Sequence, residues 1–212
     1  MNIMELYKKG SRGEMVRQIQ RALAGAGFPV IVDGYYGSVT EEAVRNFQQN
    51  HGLTVDGKVG PATLAKLIPV RWKRSKRTIT EIIIHCTATP EGRDYTVDDI
   101  RRWHRLQGWS DIGYHYVVYR NGRIEPGRDV DLIGAHCQGH NAKSIGVCYI
   151  GGCSLDGKRS KDTRTLQQKA ALLNLLTDLK KLYPYAVVYG HHDFDRCKDC
   201  PCFAAFKEYK NI

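Results

Sequence analysis

At 212 residues, with 42% hydrophobic and 25% charged positions, the chain is long enough for one large domain or two smaller ones, and its composition excludes large-scale disorder. No run approaches the roughly 18 apolar residues of a membrane span, and the start MNIMELYKKG lacks the apolar stretch of a secretory signal; synthesis in the cytoplasm without a leader, and no membrane insertion, are expected. The formal charge of +10 is uneven: residues 1–68 hold 8 Lys and Arg against 6 Asp and Glu, residues 69–78 hold 5 against none, and the remainder nets +3.

The pattern Val-Asp-Gly-x-x-Gly-x-x-Thr occurs at Val32–Thr40 and again at Val55–Thr63, 23 residues apart, and marks an internal repeat. Asp-Gly followed by a second glycine suits a turn, and the Thr, or Ser38 in the first copy, is a candidate cap for the helix that follows. Apolar spacing traces three helices, through Met15, Val16, Ile19 and Leu23, through Ala43, Val44 and Phe47, and through Leu64, Leu67 and Ile68 with Pro61 at a start. LYKKGSRGEMVRQIQRAL, VDGYYGSVTEEAVRNFQ and GLTVDGKVGPATLAKL together resemble the peptidoglycan-binding domain of cell-wall hydrolases over residues 5–68. The resemblance implies a small all-α domain over residues 1–68, with wall contacts expected near Tyr35, Tyr36 and the repeat turns.

The connector over residues 69–78, PVRWKRSKRT, combines a Pro with five cations and reads as a solvated linker. Its functional alternative is attraction to anionic wall or outer-membrane polymers, since clustered charge acts over a Debye length of roughly 8 Å. No nucleic-acid module surrounds the run, so nucleic acid is not an expected partner.

From residue 79 strands and helices alternate. ITEIIIH, YHYVVYR, SIGVCYIG and YAVVYG are β-branched and aromatic, while Val97, Ile100 and Trp103, and then Leu166, Ala170, Leu173, Leu176 and Leu179, follow helical spacing. Thr96 with Asp99, and Thr165 with Gln168, mark helix starts, and CFAAFKEYK reads as a short closing helix. An α/β domain with a central mixed β-sheet flanked by helices is predicted for residues 79–212.

Seven cysteines, an odd number absent from residues 1–85, fit reduced thiols and metal ligation better than a disulfide framework. His85 ends the apolar run ITEIIIHC, and His191 and Cys200 lie in GHHDFDRCKDCPCF. Two imidazoles and a thiolate suit a single tetrahedral Zn2+ whose fourth position stays open to water, the arrangement of a catalytic site. A rival reading makes Cys197, Cys200 and Cys202 part of a structural cluster, but no second CxxC supplies its fourth ligand. Cys86 and Cys148 are expected to pack as small apolar residues.

IIIHCTAT, IRRWHRLQGWSDIGYHYVVYRNGRIEPGRD, IGAHCQGHNAKSIGVCYIGG and GHHDFDRCKDCPCF, in that order over residues 79–206, resemble the zinc-dependent N-acetylmuramoyl-L-alanine amidases of the bacteriophage lysozyme type, related in fold to peptidoglycan recognition proteins. The resemblance implies zinc ligation by His85, His191 and Cys200, with Tyr114 and Lys198 catalytic. One departure leaves a choice open: the loop before Cys200 is a residue longer than in the family pattern, so counting back from Cys200 selects His192, whereas the following Asp193-Phe194 favours His191. His136, Asn141 and Lys143 are candidates for the substrate groove, His104 for a structural role, and Asp193 joins Tyr114 and Lys198 as a candidate proton relay.

Together these features imply a monomeric, modular phage endolysin that cleaves the amide between N-acetylmuramic acid and L-alanine of the stem peptide. It is expected to wait in the host cytoplasm until a membrane pore releases it to the wall. A recognition protein that binds peptidoglycan without cutting it is the competing class, and a peptidase acting within the stem peptide is the competing chemistry.

Overall fold

The computed structural model describes residues 6–68 and 72–212, and the chain divides into two compact units between Arg71 and Trp72. The first five residues and the opening Pro69, Val70 and Arg71 of the basic connector lie outside the described residues.

The first unit holds α1 (Glu14–Gly25), α2 (Ser38–Asn50) and α3 (Pro61–Leu67) around a core of Val16, Ile19, Leu23, Tyr36, Val44 and Phe47. The internal repeat is a repeat of hydrogen bonds. Gln20, buried on α1, accepts from Gly34 N–H at 2.8 Å and donates to Asp33 Oδ1 at 2.8 Å and Thr40 Oγ1 at 3.2 Å. Gln48 on α2 accepts from Gly57 N–H at 2.9 Å and donates to Asp56 Oδ1 at 2.9 Å and Thr63 Oγ1 at 3.1 Å. The turn glycines take φ of +79° and +68°, the left-handed region that a side chain disfavours.

Two expectations are corrected here. The repeat threonines do not cap the helices: Gly37 and Gly60 occupy the N-cap positions, while Thr40 and Thr63 are buried partners of the glutamines. Tyr36 is not a wall-facing residue, because it is fully buried and its hydroxyl donates to the Gly57 carbonyl at 3.0 Å. Tyr35 does reach the surface, with Arg12 over its ring at 4.3 Å.

The second unit is built on a five-stranded sheet of order β4-β3-β5-β1-β7. Its strands are β1 (Glu81–Cys86), β3 (Tyr116–Val118), β4 (Ile124–Pro126), β5 (Ser144–Tyr149) and β7 (Val187–Gly190); β2 (Thr89–Pro90) and β6 (Gly152–Cys153) form a separate short pair. β1 runs parallel to both β5 and β7, β3 runs parallel to β5, and β4 is antiparallel to β3. A central strand buried on both faces needs apolar residues throughout, which is why EIIIHC reads as a continuous run.

On one face Ile82, Ile84 and Cys86 pack with α5 (Leu166–Leu182) and α6 (Ala205–Tyr209). The opposite side of the unit holds α4 (Val97–Leu106), whose Val97 and Ile100 cluster with Ile112, Val117, Tyr119 and Ile150. Thr96 with Asp99 and Thr165 with Gln168 form the two capping boxes. The buried stripe of α5 is Gln168, Ala171, Leu172, Leu175, Leu176 and Leu179, so Leu166 and Leu173, placed on the core face from spacing, are exposed. This helix carries apolar residues at more than one spacing, and only the sheet it packs on selects the stripe.

The described part of the basic connector is anchored to the second unit through Trp72, Ser75 and Arg77, while Lys73, Arg74 and Lys76 stay exposed as a solvated run would. Trp72 meets the Tyr116 ring edge-on at 5.0 Å, Ser75 Oγ donates to Val130 O at 2.7 Å, and Arg77 donates to Val130 O at 2.9 Å and Asn141 O at 3.0 Å. Lys73 pairs with Asp129 at 2.8 Å and Asp131 at 2.7 Å. Net charge predicts solvation, but Trp72 supplies apolar area and Arg77 a rigid fork of donors, and both find partners on this surface.

Candidate metal centre and active site

The sheet register brings the two histidines together. Ile84 pairs with Gly190 across the parallel strands β1 and β7, so the next residues, His85 still within β1 and His191 just past the end of β7, stand side by side, with ring centroids 4.7 Å apart. The loop after β7 returns to the same point: His192 N–H donates to Cys200 O at 2.8 Å, and Cys86 N–H donates to Cys200 Sγ at 3.2 Å.

His85, His191 and Cys200 therefore converge, their ligand atoms all within 4.8 Å of one another, with Cys200 Sγ 3.7 Å from His85 Nδ1. Burial holds His85 well below the ordinary histidine range, with the neighbouring His136 and His191 adding to the effect. Burial also lowers His191, opposed by the Asp195 charge and assisted by that of Lys198. Both imidazoles are thus neutral at pH 7 and have lone pairs to offer a metal. Among the described residues this is the grouping of three or more His, Cys, Asp or Glu suited to a metal ion, and its two nitrogens and one sulfur match zinc chemistry.

His192 stands outside the trio, with Nδ1 3.4 Å from Asp199 O and Nε2 3.6 Å from Asp193 Oδ1. Cys197 is exposed and outside the trio as well, while Cys202 Sγ lies 3.7 Å from Cys86 Sγ. Tyr114 borders the trio, its ring 5.1 Å from His85; burial raises its phenol well above the usual range and the hydroxyl donates to the Cys148 thiol. Lys198 is exposed on the loop before Cys200. Asp193, the remaining candidate for proton relay, accepts from Gly190 N–H at Oδ2 at 2.7 Å.

The three groove candidates are each engaged by neighbouring residues. His136 is buried, with Nδ1 3.0 Å from His85 Nε2 and Nε2 3.3 Å from Ser144 Oγ. Asn141 Oδ1 accepts from the N–H groups of His136 and Cys137 at 2.8 and 2.9 Å. Lys143 pairs with the buried Glu81 at 3.0 Å, which also contacts His140 at 2.9 Å. Of the three only His136 is buried, while Asn141 is half-buried and Lys143 stays exposed. Sequence reading passed over Ser144, whose hydroxyl meets His136 and the His140 carbonyl only because the loop between them folds back on itself. His104, considered structural, accepts from Gly113 N–H at Nδ1 at 2.9 Å in a buried position.

Comparison with known proteins agrees in both units. Residues 75–203 match the family model of N-acetylmuramoyl-L-alanine amidase, and residues 12–67 that of a peptidoglycan binding domain. The endolysin of Enterobacteria phage K11 is 42% identical over 129 residues, 60% of this chain and 83% of its own length. That of Escherichia phage T7 is 40% identical over 134 residues, 63% of this chain and 87% of its own. Among solved structures, N-acetylmuramoyl-L-alanine amidase LysC from Clostridium intestinale superposes with a TM-score of 0.54 at 26% identity, covering 66% of this chain and 92% of that one. Drosophila PGRP-LB gives 0.53 at 27% identity over 69% and 91%.

Proposed function

The chain belongs to the N-acetylmuramoyl-L-alanine amidase family, and from that premise we propose that it is a modular phage-type endolysin in which a single zinc ion, held by His85, His191 and Cys200, serves a peptidoglycan amidase. Peptidoglycan is the substrate, and the bond cleaved joins N-acetylmuramic acid to L-alanine of the stem peptide. The observation that carries the zinc assignment is the convergence of two neutral imidazoles and one thiol from the ends of parallel neighbours and a returning loop. When bound, zinc supplies Lewis acidity toward water and the scissile carbonyl near neutral pH.

The chain's own residues supply the rest. Tyr114 keeps its proton, which suits a hydroxyl that donates to a developing oxyanion, and Lys198 offers a fixed positive charge from the loop beside His191. Residues 1–68 form the proposed wall-binding module, with Tyr35 as its surface aromatic. The catalytic unit is proposed to start at Trp72, because the docked end of the connector belongs to it. Lys73 and Arg77 are already engaged, so any attraction to anionic wall polymers falls to Arg74 and Lys76, both exposed. No described helix is long and apolar enough to cross a membrane. Cytoplasmic synthesis, release through a pore and action as a monomer complete the proposal.

The test uses purified walls. Cleavage is expected to expose new L-alanine amino termini, to stop when a chelator strips the metal, and to return with zinc. His191→Ala and Cys200→Ser are expected to lose both zinc and activity, while His192→Ala keeps them. Full activity in metal-free protein would overturn the zinc assignment; wall binding without new amino termini would favour a recognition protein, and a different new terminus a stem peptidase.

A further inference from the structure

We infer that His136 and Ser144 are positioning residues, which by a one-way run of hydrogen bonds ending on a backbone carbonyl fix the ring nitrogen that His85 turns toward Cys200 and His191. The consequence for metal binding rests on the zinc reading above; the hydrogen-bond polarity itself does not.

The polarity follows from the far end. Ser144 Oγ lies 2.8 Å from the carbonyl oxygen of His140, and a carbonyl only accepts, so the hydroxyl proton is committed there. Ser144 Oγ then faces His136 Nε2 at 3.3 Å as an acceptor, which places the ring hydrogen of His136 on Nε2. A neutral imidazole, the form that burial favours, carries one N–H, so Nδ1 of His136 is bare. The 3.0 Å contact between that Nδ1 and His85 Nε2 has one remaining polarity: His85 donates. His85 Nδ1 is left with its lone pair, and this is the nitrogen 3.7 Å from Cys200 Sγ. The opposite tautomer would aim a hydrogen, not a lone pair, at the sulfur and would leave two bare nitrogens facing each other.

The slot around His136 is built for this ring. A Cβ added at Gly134 or Gly146 would come within 2.5 or 2.6 Å of His136 Cδ2, so both positions admit the ring by lacking a side chain. Asn141 Oδ1 holds the backbone N–H of His136 and of Cys137, which keeps the ring in its slot. The loop GAHCQGHN thus serves the metal centre from behind. Hydrogen bonds of this kind to the non-ligating nitrogen of a metal-bound histidine set its tautomer and orientation.

Long-range nitrogen–proton spectra of the metal-free, full-length protein read the polarity directly. Both His85 and His136 are expected to carry hydrogen on Nε2 with Nδ1 bare, and hydrogen on Nδ1 of His85 would overturn the inference. Zinc affinity, measured by chelator competition, gives a second readout. His136→Phe keeps the ring shape but offers no acceptor and is expected to weaken zinc about 10–100-fold. His136→Asn, whose Oδ1 takes the place of Nδ1, is expected to recover most of that loss, and Ser144→Ala to show mixed His136 tautomers. Wild-type affinity in His136→Phe would refute the positioning role. A wild-type protein that binds no zinc would instead refute the zinc assignment, and the ring spectra would still decide the polarity.

Discussion

Tyr114 is held by its neighbours more tightly than a surface tyrosine: its ring lies between His85 and His104, at 5.1 and 5.3 Å, and its hydroxyl rests on Cys148. Removing the hydroxyl while keeping the ring isolates the donor, so Tyr114→Phe is expected to lower kcat by about 10²–10³-fold, the cost of one oxyanion-hole donor, with zinc content unchanged by elemental analysis. His115 gives a prediction of another kind. It is fully buried, accepts from Gly146 N–H and contacts Leu132 O, and burial, with the Arg77 and Arg128 charges, lowers it to about 4 from 6.5. The unfolded chain therefore binds more protons than the folded one between these values. Stability from this group is complete above pH 6.5 and falls as the pH drops toward 4, by on the order of 3 kcal/mol over the whole window. Denaturant unfolding of the metal-free protein across that range is expected to show the slope, and His115→Gln to flatten it by about one proton.

At the scale of elements, the repeat glutamines show how a short motif becomes a fold. Asp-Gly turns are readable from sequence, but the partner that satisfies their backbone is a glutamine on the preceding helix, 13 residues before Asp33 in one copy and 8 before Asp56 in the other. Unequal spacing hides the pairing until the helices are in place. Gln20→Ala and Gln48→Ala each strand buried donors and acceptors, and each is expected to destabilise the first unit by about 1–3 kcal/mol, measured by its own unfolding transition, with cleavage of a small soluble muropeptide unaffected. The sequence-based reading of α5 failed for a related reason. The helix's existence and its capping box were legible, but the stripe through Leu172, Leu175 and Leu179 is selected by packing with Ile82 and Ile84.

At the scale of the whole molecule, the boundary between units is a stability question. A chain beginning at Trp72 keeps the Tyr116 contact and the Ser75 and Arg77 hydrogen bonds, whereas one beginning at Ile79 discards them. Loss of a packed tryptophan costs about 3–5 kcal/mol, and Trp72 is partly exposed, so the shorter chain is expected to be less stable by about 3 kcal/mol in denaturant unfolding. The chain from Trp72 is expected to match the intact protein on a soluble muropeptide and to fall behind on insoluble walls, where a tethered module raises effective concentration.

Local chemistry alone determined the repeat, the apolar central strand, the capping boxes and the residue types of a trio suited to a metal, because each rests on neighbours a few positions apart or on a motif read as a unit. Tertiary structure decided what distant segments do to one another. It buried Tyr36 and His136, anchored the described end of the basic segment, and placed His191 in the trio with His192 outside it. The physical reason is that the parallel register of Ile84 with Gly190 sets His191 beside His85, whereas His192, one step further round the 3-10 turn His191–Asp193, faces Asp199 O and Asp193.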